Sequence, residues 1–180
     1  YSTTDMVVSD PFFASVMRRT YNSMATTKTP MGYGWDFSFN TTLMREFDET
    51  GNNEVGMILK DGDGSFHRFP LNSEGGYDPA KGTFMTFAYD EAADEYTILR
   101  KDNVKYHFYG QSFKLKKFSN PNGNELRFTY DVRGNLCEIT NTVGDSVYID
   151  YYVTKENSGE PNPIYVDSNV EDYIYINDHI

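Results

Sequence analysis

Cysteine, tryptophan and long apolar runs are almost absent from this 180-residue chain. The single cysteine, Cys137, excludes an internal disulfide, and its position between Leu136 and Ile139 predicts a small core residue rather than a nucleophile. No apolar run reaches the roughly 18 residues that a membrane-spanning helix needs. The N-terminus shows no basic region followed by an apolar core, so no signal peptide is visible.

Motifs of catalysis and ligand binding are missing as well. The sequence contains no nucleophile elbow, no phosphate-cradling loop and no dinucleotide fingerprint. The three histidines, His67, His107 and His179, are far apart and form no HxH or HxxxH pair, so we expect satisfied or solvent-facing side chains rather than metal ligands. We therefore predict a protein that is not an enzyme and has no cofactor, metal site or catalytic residue. A hydrolase with paired carboxylates stays open as an alternative, because acidic residues are plentiful.

Positive charge is scarce. Lys and Arg number 16 against 27 Asp and Glu, which gives a net charge of −11. Such a surface repels phosphate backbones and anionic membranes, so we expect neither nucleic-acid binding nor membrane insertion. The one basic cluster, Lys114, Lys116 and Lys117, is interleaved with apolar residues and predicts the solvated face of a strand.

Aromatic residues are abundant, at 16% of the chain with 15 Tyr and 13 Phe. Leu126, Phe128 and Tyr130 alternate with polar residues, which is the two-residue period of a strand. Turn residues recur about every twenty positions, at Asn103, Gly123 and Gly144. Hairpin turns need such residues because they adopt positive φ readily. The sequence predicts an all-β fold, an antiparallel hairpin meander of about ten to twelve strands that forms a curved, twisted sheet or partial shell.

A three-residue apolar spacing also occurs twice, in Leu115/Phe118 and in Leu136/Ile139. An odd separation places two side chains on opposite faces of a regular strand. The spacing therefore predicts either a β-bulge that re-aims one side chain or a strand with both faces partly buried.

Several further elements are predicted from local patterns. Residues 12–23 fit a helix or an alternating strand, and we favour the strand. The remaining predictions are hairpins of residues 55–60 with 65–69 and of residues 84–89 with 96–100, a polar connection over residues 155–163, and final strands at residues 165–166 and 173–176.

Two acidic loops carry oxygen ligands of the kind that calcium prefers. Asp61-Gly62-Asp63-Gly64 lacks the further acidic residues of a full calcium loop, so we expect a tight hairpin turn. The second cluster, formed by Asp90, Glu91, Asp94 and Glu95, predicts a solvated loop tip.

Trp35 follows Gly34 and lies two residues after Tyr33. A glycine beside a large ring often marks backbone packed closely around it, which predicts a buried anchor of the first sheet. The alternative is an exposed platform for a sugar ring, with Tyr33, Trp35 and Tyr77 as weak candidates for carbohydrate contact.

The order of these motifs resembles the YD repeats of the RHS (rearrangement hotspot) family. The turn Asn122-Gly123-Asn124 precedes a strand ending in Tyr130-Asp131, and Gly134-Asn135-Leu136 follows. Gly144 and Tyr151 occupy the equivalent places one unit later, although Tyr152 stands where an Asp is expected. Upstream, Gly32-Tyr33-Gly34-Trp35 looks like the segment that opens such repeat regions. The family's acidic self-cleavage motif is absent, so no proteolytic residue is carried over.

The resemblance covers roughly residues 12–153 and implies a role. Residues 1–153 would form a repeat-like β domain, and residues 154–180 a polar linker with terminal strands that could begin the next unit. The implied function is a non-catalytic structural module of a large secreted or cell-surface bacterial protein, part of a β-shell that encloses or displays a toxin or effector domain. Its partners would be the further repeats and the enclosed C-terminal domain of the same polypeptide. The alternative is a carbohydrate-binding module that attaches the parent protein to cell-wall polysaccharide.

Overall fold

A computed structural model describes residues 1–8, 15–24, 26, 28–79, 81–151 and 173–176. These residues contain no helix, and the fold is all-β as predicted. The strands are β1 Ser2–Val8, β2 Ser15–Tyr21, β3 Lys28–Thr29, β4 Gly32–Tyr33, β5 Trp35–Phe37, β6 Thr42–Phe47, β7 Glu54–Lys60, β8 Phe66–Pro70, β9 Thr86–Asp90, β10 Glu95–Leu99, β11 Lys105–Tyr109, β12 Leu115–Ser119, β13 Glu125–Tyr130, β14 Leu136–Thr140, β15 Ser146–Tyr151 and β16 Tyr173–Ile176.

These strands form four open sheets. Three are small, with the orders β1-β2-β5, β3-β4 and β6-β7-β8. The fourth has eight strands, and from β9 to β15 each strand pairs antiparallel with the next one along the chain. We call this eight-stranded sheet the repeat sheet.

The predicted meander is confirmed, with two differences. The described residues hold sixteen strands, not ten to twelve, because short pieces such as β3 and β4 carry no alternation long enough to read from sequence. The last pairing is also parallel, since Tyr148 of β15 lies opposite Tyr173 of β16. A hairpin cannot produce a parallel pair, and the local pattern gave no sign of this crossover.

Most of the predicted local elements are found. The segment at residues 12–23 is a strand over its described part, β2, and the two acidic turns join β7 to β8 and β9 to β10. The predicted connection at residues 155–163 and strand at residues 165–166 lie outside the described residues. The boundary between residues 153 and 154 also lies there and stays a prediction.

The three-residue spacing arises from β-bulges. His107 pairs with Lys117 while its neighbour Phe108 pairs with Leu115, so Lys116 is the extra residue of β12. The same shift in β14 makes Cys137 the extra residue. Leu115, Phe118, Leu136 and Ile139 are all buried as a result, because each bulge returns the second side chain to the face of the first.

One hydrophobic core joins the repeat sheet to the strands that precede it. Phe39 lies 5.6 Å from Phe128 of β13, and Phe69 of β8 lies 5.0 Å from Phe87 of β9, both measured between ring centroids. The buried residues include Phe37, Leu43, Met57, Leu59 and Phe69 from the preceding part, and Ile98, Phe108, Leu126, Phe128 and Ile149 from the repeat sheet. The apolar face of the repeat sheet is therefore covered by the chain's own N-terminal half.

Candidate functional site

Two tyrosines tie successive repeat units together. Tyr130 at the end of β13 donates its hydroxyl to the carbonyl of Leu115 at 2.8 Å, and Tyr151 at the end of β15 donates to the carbonyl of Leu136 at 3.0 Å. In both pairs the acceptor lies 15 residues earlier and begins a bulged strand. Burial raises the pKa of both phenols, so each hydroxyl keeps its proton and remains a donor. We call these two bonds the tyrosine ladder.

The first unit departs from this ladder. Tyr109 lies 21 residues before Tyr130, yet its side chain is exposed. Here the backbone N–H of Gly110 donates to the carbonyl of Asp94, at 2.8 Å. The first unit is thus closed by a backbone bond.

Three turns of the repeat sheet, at residues 120–124, 131–135 and 141–145, share one hydrogen-bonding pattern. Asp131 Oδ1 accepts the backbone N–H groups of Arg133 and Asn135 at 2.9 and 2.8 Å. The glycine three residues after it, Gly134, has φ +83° and donates its N–H to the Asp131 carbonyl. Such a turn needs a residue that tolerates positive φ at its fourth position, which is the role that the sequence pattern assigned to glycine.

Other turns repeat the pattern with a different first residue. Asn120 and Asn141 accept in the same way, and Gly123 and Gly144 have φ +82° and +96°. Sequence reasoning missed Asn120 and Asn141. The signal that could have found them is an Asn or Asp placed three residues before each turn glycine.

Lys114 joins the preceding strands to the repeat sheet. Its backbone forms an isolated bridge with Thr42 of β6, its Nζ donates to the carbonyl of Gly134, and the ammonium lies 4.9 Å from the centre of the Tyr130 ring. The hydroxyl of Thr42 and the N–H of Leu43 both donate to the carbonyl of Phe113, whose φ is +58°. This group, which we call the Lys114 junction, fixes the position of β6 against the repeat units.

Lys116 and Lys117 are partly exposed, which is compatible with the predicted solvated strand face, and both form ion pairs there. Lys116 pairs with Glu95 and Lys117 with Glu125, both at 2.6 Å. Glu95 also contacts His107 Nδ1 at 2.6 Å. Burial alone would raise the pKa of Glu95, but hydrogen bonds from Lys116 and His107 outweigh burial and lower it.

Glu95 is the one residue of the second acidic cluster that does not lie at a solvated loop tip. Asp90, Glu91 and Asp94 are exposed, as expected of a solvated turn. Glu95 instead begins β10 and is half-buried, because its side chain points back over the sheet toward His107. The hairpin ends one residue earlier than the charge pattern suggested.

The remaining sequence candidates have structural partners. Asp61 pairs with Arg100 at 2.6 Å, Asp63 accepts the N–H of Ser65 at 2.8 Å, and His107 Nε2 contacts Ser119 at 2.8 Å. His67 contacts Ser65 at 3.2 Å, and His179 lies outside the described residues. Within the described ranges, no group of three or more His, Cys, Asp or Glu side chains is arranged to hold a metal ion.

Cys137 is not a core residue, contrary to the sequence prediction. It is half-buried, and its thiol contacts the carbonyl of Thr129 at 3.4 Å. As the extra residue of a bulge it is turned away from the face that holds Leu136 and Ile139. Burial raises the pKa of this thiol, which disfavours the thiolate that a nucleophile requires.

Trp35 is half-buried and packs against the edge of the core. Tyr1 meets its ring edge-on at 6.3 Å and Tyr21 lies 5.2 Å away at a tilt. Gly34 has φ +74°, and a Cβ atom there would lie 2.8 Å from the carbonyl oxygen of Asn22. The backbone therefore packs closely beside the indole, while one side of Trp35 lines an open cleft.

Tyr33 and Tyr77 have other surroundings. Tyr33 is 64% exposed on β4. Tyr77 donates its hydroxyl to Glu54 at 2.7 Å and lies 4.7 Å from Phe87. Among the ring contacts of the described residues, none joins either tyrosine to Trp35.

No helix in the described part of the chain is long and apolar enough to cross a membrane.

Comparison with known proteins gives two kinds of match. Residues 1–69 match a family described as "Domain of unknown function (DUF6531)". The chain is also similar to the "tRNA3(Ser)-specific nuclease WapA" of Bacillus spizizenii, with 28% identity over 120 residues. The "tRNA nuclease WapA" of Bacillus subtilis strain 168 is 27% identical over the same length. Each alignment covers 67% of this chain but only 5% of the relative. The similar proteins are thus far longer polypeptides, which is compatible with the RHS-type resemblance.

Proposed function

We propose that the chain is a non-catalytic structural module of a large secreted or cell-surface bacterial protein of the RHS type. In that setting it contributes to a β-shell that encloses or displays a toxin or effector domain. Its partners are the further repeats and the enclosed domain of the same polypeptide. The proposal rests above all on the tyrosine ladder, in which the same hydroxyl-to-carbonyl bond recurs after 21 residues.

A hydrogen bond that recurs in this way can join successive units of a β-sheet. Each unit adds a bulged strand whose first carbonyl receives the tyrosine at the end of the strand after it, so every unit prepares the edge for the next. Stability in such arrays comes mainly from neighbouring units. The buried tyrosines of the ladder and the carboxylate and amide side chains of the turns bind partners within the chain, which supports a structural role.

The nuclease activity named for the Bacillus relatives belongs to those whole proteins. The matched segment is 5% of their length, and a net charge of −11 repels the phosphates of tRNA. We therefore place any such activity outside this module.

Protease protection in the full-length parent polypeptide tests the proposal. Leu126→Asp inserts a charge into the fully buried face of β13 and should open the sheet, whereas Val132→Asp lies at a fully exposed turn and serves as the control. We expect limited proteolysis to cleave the downstream domain much faster in Leu126→Asp than in Val132→Asp. Equal protection of that domain in both variants would refute an enclosing role.

A further inference from the structure

A cleft of about 130 Å³ opens beside Trp35. Its walls come from the end of β2, from β5 and from the turn between β7 and β8. The residues that matter for its chemistry are Asn22, Trp35, Asp36, Lys60, Asp63 and Phe66. None of them belongs to the tyrosine ladder.

Two aromatic rings line this cleft. Trp35 is held in place by Tyr1 and Tyr21, so its orientation is fixed before any ligand arrives. Phe66, the first residue of β8, is 63% exposed. Phe66 thus leaves a large ring in water at a cleft that Trp35 also lines, and both rings offer apolar area to a ligand.

Polar groups of both kinds form the rest of the cleft. Asp36 and Lys60 pair with each other, and each side chain is only 14% exposed. Asp36 is further fixed by the N–H of Phe37 at 2.9 Å and by the amide of Asn40 at 2.7 Å. Carboxylate acceptors therefore stand beside ammonium and amide donors in a rigid arrangement. Neighbouring hydroxyl groups, which both donate and accept, match such an arrangement.

The charged side chains around the cleft restrict the class of ligand that can bind there. Asp36 and Asp63, in a chain of net charge −11, disfavour an anion. A cation is disfavoured by Lys60 and by the guanidinium of Arg19, which lies 5.7 Å from the centre of the Trp35 ring. What remains is a neutral molecule with one apolar face and several hydroxyl groups.

We propose that this cleft binds one ring of a neutral carbohydrate. The apolar face of the sugar stacks between Trp35 and Phe66, and its hydroxyls contact Asp36, Lys60 and Asn22. The site is independent of the proposed shell function, since loss of sugar binding would leave the repeat sheet and its ladder unchanged.

The chain's single tryptophan makes the test direct. The 180-residue chain is titrated with maltotetraose, cellotetraose and chitotetraose while the fluorescence of Trp35 is recorded. Polygalacturonate and choline serve as the anionic and cationic comparisons. We expect a saturable change with at least one neutral oligosaccharide and none with the charged probes.

A matched pair of variants locates the binding. Phe66→Ala removes one wall, whereas Phe84→Ala removes another exposed phenylalanine ring, which does not line the cleft. Phe66→Ala should weaken binding about ten-fold and Phe84→Ala by less than about two-fold, since one stacked ring contributes on the order of 1.4 kcal/mol, a factor of ten. Saturation-transfer NMR of the sugar provides a readout that does not depend on tryptophan. Absence of binding by both methods, or equal affinities of the two variants, would overturn the proposal.

Discussion

Alanine substitutions at two turn glycines separate the energetic cost of backbone strain from the cost of disturbing the Lys114 junction. Gly134 and Gly123 occupy the same place in successive turns, with φ +83° and +82°. A Cβ atom at position 123 would meet nothing within 4 Å, whereas one at position 134 would collide with Nζ of Lys114. The two sites therefore present the same backbone problem with different surroundings.

The strain contribution follows from the backbone alone. A non-glycine residue with left-handed φ costs about 1–2 kcal/mol, and alanine recovers about 0.4–1 kcal/mol by restricting the unfolded chain. We expect Gly123→Ala to lower the free energy of unfolding by about 1 kcal/mol. Gly134→Ala has the same backbone cost and, in addition, the cost of displacing Lys114.

The additional cost comes from moving Lys114. Its ammonium must leave the Gly134 carbonyl and the Tyr130 ring, losing a hydrogen bond of about 0.5–1.5 kcal/mol and a cation–π contact of about 0.5–1 kcal/mol. Gly134→Ala should thus be less stable than Gly123→Ala by about 1–2.5 kcal/mol.

Urea denaturation followed by far-UV circular dichroism measures both variants, alone and combined with Lys114→Met. In the Lys114→Met background the two alanine variants should become equal, because no ammonium remains to displace. Equal stability of Gly134→Ala and Gly123→Ala in the unmodified chain would refute the assigned cost of moving Lys114. A stability difference that persists without Lys114 would refute it as well.

Three further expectations follow from the sheet. Tyr130→Phe should lower the free energy of unfolding by about 1–2 kcal/mol, because a carbonyl loses its donor, while Tyr148→Phe on the exposed side changes it little. Leu126→Ala should cost about 2–5 kcal/mol, against less than about 0.5 kcal/mol for Val132→Ala. The pKa of Glu95 is lowered in the folded state, so this carboxylate stabilises the fold above its unfolded-state pKa, and the contribution disappears as pH falls through the folded-state pKa. Glu95→Gln should therefore flatten the loss of stability in acid.

Urea titrations provide the readout for all three, repeated from pH 3 to pH 7 for the last. For acid stability Glu91→Gln is the matched control, because Glu91 is exposed in the adjacent turn. Equal stability of Tyr130→Phe and Tyr148→Phe would show that the ladder bond contributes nothing net. Parallel acid profiles of the Glu95 and Glu91 variants would contradict the assignment of the lowered pKa to the contacts of Glu95.

Sequence periodicity predicted the repeat sheet because its strands and turns are specified by residues that are neighbours along the chain. Alternation at Leu126, Phe128 and Tyr130 shows which face of β13 is apolar, and the spacing of Leu136 from Ile139 indicates the bulge. The same bulge explains the error at Cys137, since an apolar neighbourhood in sequence does not reveal which residue is the extra one. A β-bulge changes side-chain direction without changing composition.

A local sequence pattern could not predict contacts between segments that are distant along the chain. The bond from Thr42 to Phe113 spans 71 residues, and the pairs of Lys116 and Glu95 depend on which strands become neighbours. Of the cleft, the sequence identified only Trp35 as a candidate for carbohydrate contact, and the other candidates, Tyr33 and Tyr77, do not line it. Its second ring, Phe66, lies 31 residues further along the chain and carries no motif.

One face and one edge of the repeat sheet determine where further strands could be added. Its apolar face packs in one core with Phe37, Phe39 and Met57, so side chains of the preceding strands cover that face. Its last antiparallel strand, β15, has its outer edge occupied by β16 in parallel pairing. A following unit of the same kind would add an antiparallel strand at that edge, as β13 does to β12, and would have to replace β16. A further antiparallel strand and β16 would therefore compete for the same backbone groups at the edge of β15.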